Sequence, residues 1–116
     1  MNGKRLIICT VLCLAPLQAF SADYIVSGKS YINRVISYNE YGAGDVVFRI
    51  ANPINDCYGY WLTKGDPGFN ANLTMIIAAY QAKTPVIVAG LPAQSEKWKG
   101  SEDHWCKLYG IEFKNY

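Results

Sequence analysis

The sequence has little of the chemistry that enzymes use. Its 116 residues include a single histidine, His104. None of the G-x-S-x-G, H-E-x-x-H or glycine-rich phosphate-loop motifs occurs. The adjacent carboxylates Glu102 and Asp103 would point to opposite sides of an extended chain, which makes them poor candidates for paired acid–base work. We therefore expect a non-catalytic protein with no cofactor and no bound metal, in which His104 is structural or solvent-exposed.

An excess of charge is also lacking. The full chain has 11 Lys and Arg against 9 Asp and Glu, a formal net charge of +2. Lys4 and Arg5 account for this difference, so residues 22–116 have nine basic and nine acidic residues. A nucleic-acid-binding domain would carry a clear basic excess. We therefore expect no nucleic-acid partner.

Residues 1–21 have the layout of a secretory signal peptide. Lys4 and Arg5 precede the apolar run LIICTVLCLAPL, and Ala19 and Ser21 occupy the two small-residue positions of a cleavage site. A membrane anchor is the alternative, but the run is shorter than the roughly 18–20 residues that a span needs. We expect cleavage before Ala22, secretion or periplasmic localisation, and no transmembrane segment.

After the leader only two cysteines remain, Cys57 and Cys106. In an exported protein such a pair most often forms a disulfide. A metal site is the alternative, but it would need two more ligands, and His104 is the only histidine. A disulfide that closes a loop of about 50 residues would stabilise the fold by roughly 4 kcal/mol in the chain-entropy model.

Runs of β-branched and aromatic residues, separated by Gly, Pro and Asn, predict a mainly β domain that spans residues 22–116. The first run, 23–38, is one long strand or two shorter ones with a bend at Gly28, and residues 92–103 form a loop. The predicted order is β-β-β-α-β-β, which is that of the OB-fold, a five-stranded Greek-key barrel. The later strands are predicted at 46–51, 57–63, 85–91 and 104–113.

One helix is predicted from Phe69 to Lys83, with Asn70 or Asn72 as its N-cap, and Pro85 follows its end. Both of its sides are apolar, and a helix apolar on both sides is usually covered on both sides. The cover is either the barrel plus a second chain, or the barrel and loops of one chain. One predicted face comprises Leu73, Ile76, Ile77 and Tyr80, and the other comprises Met75, Ala78, Ala79 and Ala82.

Aromatic residues are abundant, with nine Tyr, three Trp and four Phe. Their faces can stack on the C–H faces of sugars, or they can fill the core. Tyr58 and Tyr60 should share one face of a strand, with Trp61 on the other. Trp98, in a loop between Lys97 and Lys99, is the aromatic residue that we expect to be exposed.

The helix contains the pattern L-x-x-x-x-A, here Leu73 and Ala78, and is followed by the strand Pro85–Val88. Together with Val35-Ile36-Ser37 on the first strand, this resembles the B subunits of AB5 toxins, in particular those of subtilase cytotoxin and typhoid toxin. The resemblance implies a secreted virulence factor: a homopentameric ring whose helices line a pore that holds the tail of a toxin A subunit.

The resemblance also implies functional faces. Met75, Ala78, Ala79 and Ala82 would face a neighbouring subunit or the pore. Outer surfaces of the ring would bind host glycoconjugates, often ending in sialic acid. The candidate glycan-binding residues are Ser30, Tyr31, Asn33, Tyr60 and Trp98.

Two positions depart from the family pattern. Ile32 stands where the family has a serine that contacts sialic acid, and an isoleucine cannot hydrogen-bond a carboxylate. Arg49 stands where the family has the first cysteine of its disulfide, so Cys57 must pair elsewhere. The alternative function is that of a periplasmic or secreted OB-fold binding or inhibitor protein that acts on a protein partner.

Overall fold

The first predicted run of strand residues, 23–38, forms two strands in the structure, and residues 27–31 separate them. The computed structural model describes residues 23–115, so the predicted signal peptide lies outside the described residues. Short 3-10 turns are formed by Tyr41–Ala43 and Gln94–Glu96. The regular elements are β1 (Ile25–Val26), β2 (Ile32–Ser37), β3 (Val46–Ile50), β4 (Gly59–Leu62), α1 (Phe69–Ala82), β5 (Val86–Leu91) and β6 (Trp105–Phe113).

The six strands form one mixed sheet in the order β1-β5-β6-β4-β3-β2. All neighbouring pairs are antiparallel except β4 and β6, which run parallel. The prediction of a mainly β fold with one helix is therefore confirmed. The sheet is not closed, because its edge strands β1 and β2 do not pair with each other.

The two edge strands of the sheet, β1 and β2, are consecutive in the chain. Residues 27–31 cross from one edge to the other, and two buried serines hold this crossing segment in place. Ser27 N donates to Val88 O at 2.8 Å, and Ser27 Oγ accepts a hydrogen bond from Val88 N at 3.0 Å. Ser30 pairs with Val86 through both backbone groups, while its Oγ accepts from Asn52 N at 2.9 Å. The segment thereby bonds to β5 on one side and to the end of β3 on the other.

The main core lies between one face of the sheet and α1. Phe48 and Tyr60 are fully buried there, with ring centroids 5.4 Å apart. The predicted disulfide between Cys57 and Cys106 is confirmed, and both cysteines belong to this core. It joins the chain just before β4 to β6, its parallel neighbour in the sheet.

A second, smaller core covers the other face of the sheet. Val47, which alternates with the main-core residues of β3, packs there with Trp98 and Trp105. The prediction that Trp98 is exposed is wrong: it is only 5% exposed. The loop after β5 folds back over the sheet, and Trp98 N bonds to Trp105 O at 3.0 Å.

Tyr58 and Tyr60 lie on opposite faces, so the prediction that they share a face is also wrong. Tyr60 is in the main core, while Tyr58 packs against Trp105 of the second core. The strict alternation of a strand begins only at Gly59. A Cβ at Gly59 would lie 2.5 Å from the ring of Trp105, so glycine is required for this close approach.

The N-cap of α1 lies two residues before Asn70 and four before Asn72, the two predicted N-caps. Gly68 is the N-cap, and Asn72 N donates to Gly68 O at 2.9 Å, which places both Asn70 and Asn72 inside the helix. The cause is the tight turn before it: Asp66 Oδ2 accepts from Thr63 N and Asp66 O accepts from Phe69 N. Among residues 23–115, no helix is long and apolar enough to span a membrane.

The faces of α1 are rotated relative to the prediction. Ile76 and Ala79 are buried and face the main core, whereas Ile77 and Tyr80 are 49% and 42% exposed. The prediction that Ala79 faces away from its own sheet is therefore wrong. Ala79 follows Ile76 by three residues and so shares its side of the helix, while Ile77 is about 100° further round.

Candidate functional site

A cleft lies between the start of β2 and the C-terminal end of α1, with a volume of about 730 Å³. We call it the helix-end cleft. Two partly exposed tyrosines, Tyr31 and Tyr80, form its aromatic surface. The complete lining is Tyr31, Ile32, Asn33, Tyr80, Gln81 and Lys83.

The backbone fixes where these side chains stand. Tyr31 O accepts a hydrogen bond from Ala51 N at 2.8 Å, and Ile32 pairs with Ile50 and is buried. The next residue, Asn33, is exposed, and the pairing register shifts there. The chain thus turns Ile32 into the core and leaves Tyr31 and Asn33 on the surface, because neighbouring strand residues point to opposite faces.

The helix supplies the opposite wall. Lys83 closes α1 in a left-handed conformation, with φ 55°, and its N–H bonds to Ala79 O. Its side chain carries the only charge in the lining of the cleft. Amide groups from Asn33 and Gln81 can each donate and accept hydrogen bonds.

This arrangement suits a ligand with hydroxyl groups, an apolar face and a negative charge. Tyrosine rings offer both a stacking face and a polar tip. The amides can pair with hydroxyls, and the Lys83 ammonium can pair with a carboxylate. Sialylated sugars have this combination of groups.

Two of the five predicted glycan-binding residues, Tyr31 and Asn33, are brought together in this cleft. The other three lie outside this cleft and are buried. Ser30 is 2% exposed and its hydroxyl is used by Asn52 N, Tyr60 is in the main core, and Trp98 is in the second core. Tyr60 has no face available to a sugar, and Trp98 reaches the surface only where it lines a separate pocket.

Sequence reasoning missed Tyr80, Gln81 and Lys83 as residues of the cleft. They are 47 or more residues from Asn33 in the chain, and only the packing of α1 against β2 brings them together. One feature of the sequence could have indicated this site: Lys83 is a cation at the end of an otherwise uncharged helix.

The exposed side of α1 is the second candidate surface. From Phe69 to Ala82 the helix has no charged residue. Among the residues predicted to face a neighbour or the pore, Ala78 and Ala82 are exposed, and Met75 is half-buried. Most exposed helices in water carry charged or polar residues on their outer face. The exposed residues of α1 are Asn70, Ala71, Thr74, Ile77, Ala78, Tyr80, Gln81 and Ala82.

His104, the single histidine, has a structural position. One of its ring nitrogens, Nε2, lies 2.8 Å from Pro92 O, which ties the start of β6 to the loop after β5. Within residues 23–115, no group of three or more His, Cys, Asp or Glu is arranged to hold a metal ion.

Comparisons with protein-family models, with curated proteins and with solved structures gave no match for this chain. The case for a function therefore rests on the sequence and on the two surfaces described above.

Proposed function

We propose that the protein is the non-catalytic, receptor-binding and delivery subunit of an AB5-type toxin. It assembles into a homopentameric ring, binds host-cell glycans and holds a toxin A subunit through a central pore. The observation that carries this proposal is the uncharged exposed side of α1. A helix without a charge in fourteen residues that is half exposed in the monomer is better explained by a further covering chain.

We infer that the sheet is a variant of the OB-fold barrel. The segment from Ile25 to Ser37 contributes both edge strands, so a single stretch of chain links the two edges of a curved sheet. Ser30 bonds to β5 while its neighbour Tyr31 bonds to the chain after β3. This is the expected behaviour of a first strand shared by both sides of a small, partly open barrel.

In the ring, Ala78 and Ala82 face the pore, and Ile77 lies against a neighbouring copy. Small alanines allow a second chain to approach the helix backbone closely. Ala79 has no part in this interface because it is buried against its own sheet. The absence of charge on this surface favours contact with an uncharged or apolar segment of the A subunit.

The helix-end cleft is the glycan site in this proposal. Tyr31 and Tyr80 stack against sugar rings, and Lys83 takes the place of the missing family serine as the partner of a sialic acid carboxylate. Five equivalent clefts in one ring would convert weak individual contacts into strong binding to a cell surface.

The oligomeric state tests the assembly. Native mass spectrometry of the exported protein, with its disulfide formed, is expected to give five copies. A monomer at micromolar concentration would contradict the proposal and favour the alternative, an OB-fold protein that binds or inhibits another protein.

A glycan array tests the cleft separately. The exported protein should bind sialylated glycans, and Lys83→Gln should weaken this binding. Lys64→Gln, at an exposed position in the turn before α1, is the matched control and should bind normally. Equal binding by both variants would remove the cleft from the proposal without affecting the test of the ring.

A further inference from the structure

A second pocket opens on the outer face of the sheet and shares no lining residue with the helix-end cleft. It lies between the turn Tyr41–Ala43 and the loop at residues 95–100, and has a volume of about 360 Å³. Small-molecule sites typically have about 300–1,000 Å³. We call it the outer pocket. Tyr41, Trp61 and Trp98 give it a mainly aromatic surface.

Hydrogen bonds fix both indole rings of this pocket. Trp61 Nε1 donates to Glu96 O at 2.9 Å, and Trp98 Nε1 donates to Asp45 Oδ2 at 2.8 Å. The Tyr41 ring lies with its centroid 5.7 Å from that of Trp98 and is half exposed. The aromatic surface is therefore formed before a ligand arrives, which lowers the entropic cost of binding.

One residue of the lining, Asp45, has a hydrogen-bond acceptor without a partner in residues 23–115. Asp45 is 3% exposed, and its Oδ1 has no hydrogen-bond partner among the described residues. Oδ1 has almost no exposed surface, so a ligand hydroxyl group recovers the free energy of this unpaired acceptor only if the turn Tyr41–Ala43 shifts. The turn above it has positive φ at Gly42, Ala43 and Gly44, a backbone state that is uncommon for alanine and often found at ligand sites.

The charges that line the outer pocket cancel. Asp45 and Glu96 are matched by Lys97 and Lys99. The Lys97 ammonium is already held, because it donates to the carbonyl groups of Trp98 and Ser101. Neither a cation nor an anion is favoured by such a lining, in contrast to the helix-end cleft, where Lys83 is the only charge.

We propose that the outer pocket binds an uncharged saccharide. Its C–H face stacks on the half-exposed Tyr41 ring, and one of its hydroxyl groups donates to Asp45. Aromatic faces combined with a few hydrogen-bonding groups provide this kind of recognition. The proposal depends neither on the ring nor on the ligand of the helix-end cleft.

The three tryptophans of the chain provide the test. In a ¹⁵N-labelled sample they give three indole signals, one for each ring. Titration with lactose, N-acetylglucosamine or methyl mannoside should shift the Trp61 and Trp98 signals in a saturable way for at least one sugar. Trp105, which is not part of the lining, should shift much less.

Two variants define the site. Tyr41→Ala should weaken the saturable response by roughly three- to tenfold, the value expected for one lost stacking contact. Ser95→Arg, at an exposed lining position, should block it independently of Tyr41. Tyr31→Ala removes an equally exposed tyrosine from the helix-end cleft and should leave the response unchanged.

Three results would overturn the proposal. The first is the absence of a saturable shift with all three uncharged sugars. The second is a loss of binding in Tyr31→Ala that equals the loss in Tyr41→Ala. The third is a response of the Trp61 and Trp98 signals to sialyllactose alone, which would show that the pocket selects a charged ligand.

Discussion

Trp98 and Asp45, 53 residues apart in sequence, are joined by a buried hydrogen bond of 2.8 Å from the indole Nε1 to the carboxylate Oδ2. The bond ties the loop after β5 to the residue just before β3. It also accounts for the burial of a tryptophan that stands between two lysines in the sequence. The loop is held over the outer face of the sheet by this bond and by the packing of Trp98 on Trp105.

We expect Trp98→Phe to destabilise the protein by about 1.5–3 kcal/mol, because it removes a hydrogen bond to a charged, buried group. The ring remains, so the loss of packing is smaller than in an alanine variant. Urea denaturation followed by circular dichroism measures the difference. Trp61→Phe is the control: it also loses one indole bond, to Glu96 O, but at an exposed site, and should cost less than about 1 kcal/mol. An equal loss of unfolding free energy in the two variants would show that the bond to Asp45 stabilises the protein no more than the exposed bond to Glu96 O.

Burial raises the pKa of Tyr60 from 10.0 to about 12. The unfolded chain releases this proton near pH 10, whereas the folded protein holds it. The neutral Tyr60 hydroxyl therefore makes its full contribution to the free energy of unfolding below pH 10. Between pH 10 and about 12 the free energy of unfolding falls by about 1.4 kcal/mol per pH unit.

Tyr60→Phe should remove this part of the pH dependence. Because the Tyr60 hydroxyl has no hydrogen-bond partner among residues 23–115, the variant should be as stable as the wild type, or slightly more stable, at pH 7. Urea denaturation at a series of pH values from 7 to 11 measures both effects. A variant with the same loss of stability above pH 10 as the wild type would contradict the prediction.

The disulfide should carry a large share of the stability. Cys57 and Cys106 are separated by 49 residues, and loss of a cross-link of this length costs about 4 kcal/mol in the chain-entropy model. We expect the double variant Cys57→Ala, Cys106→Ala to have a strongly reduced urea midpoint. Wild-type protein with reduced thiols should show nearly the same loss. Little change in either sample would mean that packing alone holds β4 beside β6.

Two neighbouring alanines of α1 should respond differently to the same change. Ala79→Asp places a carboxylate in the main core, where an unpaired charge is strongly destabilising, and the monomer should unfold or lose several kcal/mol. Ala78→Asp places it on the exposed side of the helix and should leave monomer stability within about 1 kcal/mol of the wild type.

In the proposed ring, Ala78→Asp should prevent assembly, because five like charges would meet at the pore. Native mass spectrometry measures this, and Asn55→Asp, in the exposed turn before Cys57, is the control that should still assemble. Normal assembly of the Ala78→Asp variant would show that another surface makes the ring.

Local patterns in the sequence were sufficient to predict the order of strands and helix. Runs of apolar and β-branched residues identified β3 and β5, and Pro85 marked the end of α1. The two cysteines that follow the predicted leader indicated the disulfide. Each of these signals depends on a few neighbouring residues or on a count. The bend predicted at Gly28 also falls where the first segment divides into β1 and β2.

The faces of the elements were harder to predict, because they depend on what lies across from them. In α1 both sides are apolar, so the spacing alone could not decide whether Ile77 or Ala79 enters the core. Trp98 looked exposed because its neighbours in sequence are charged, but its burial depends on Asp45, far away in the chain. Only Tyr31 and Asn33 of the helix-end cleft were predicted, because the other wall comes from α1, which is distant from β2 in the sequence.

The crossing at Ser27 and Ser30 has a consequence for the time course of folding. Ser27 bonds to Val88, 61 residues later in the chain, and β4 pairs with β6, which is completed near residue 113. During synthesis from the N-terminus, β1 therefore stays unpaired until β5, at residues 86–91, has been made. Contacts of such long range slow folding, since a large loop must close before they form.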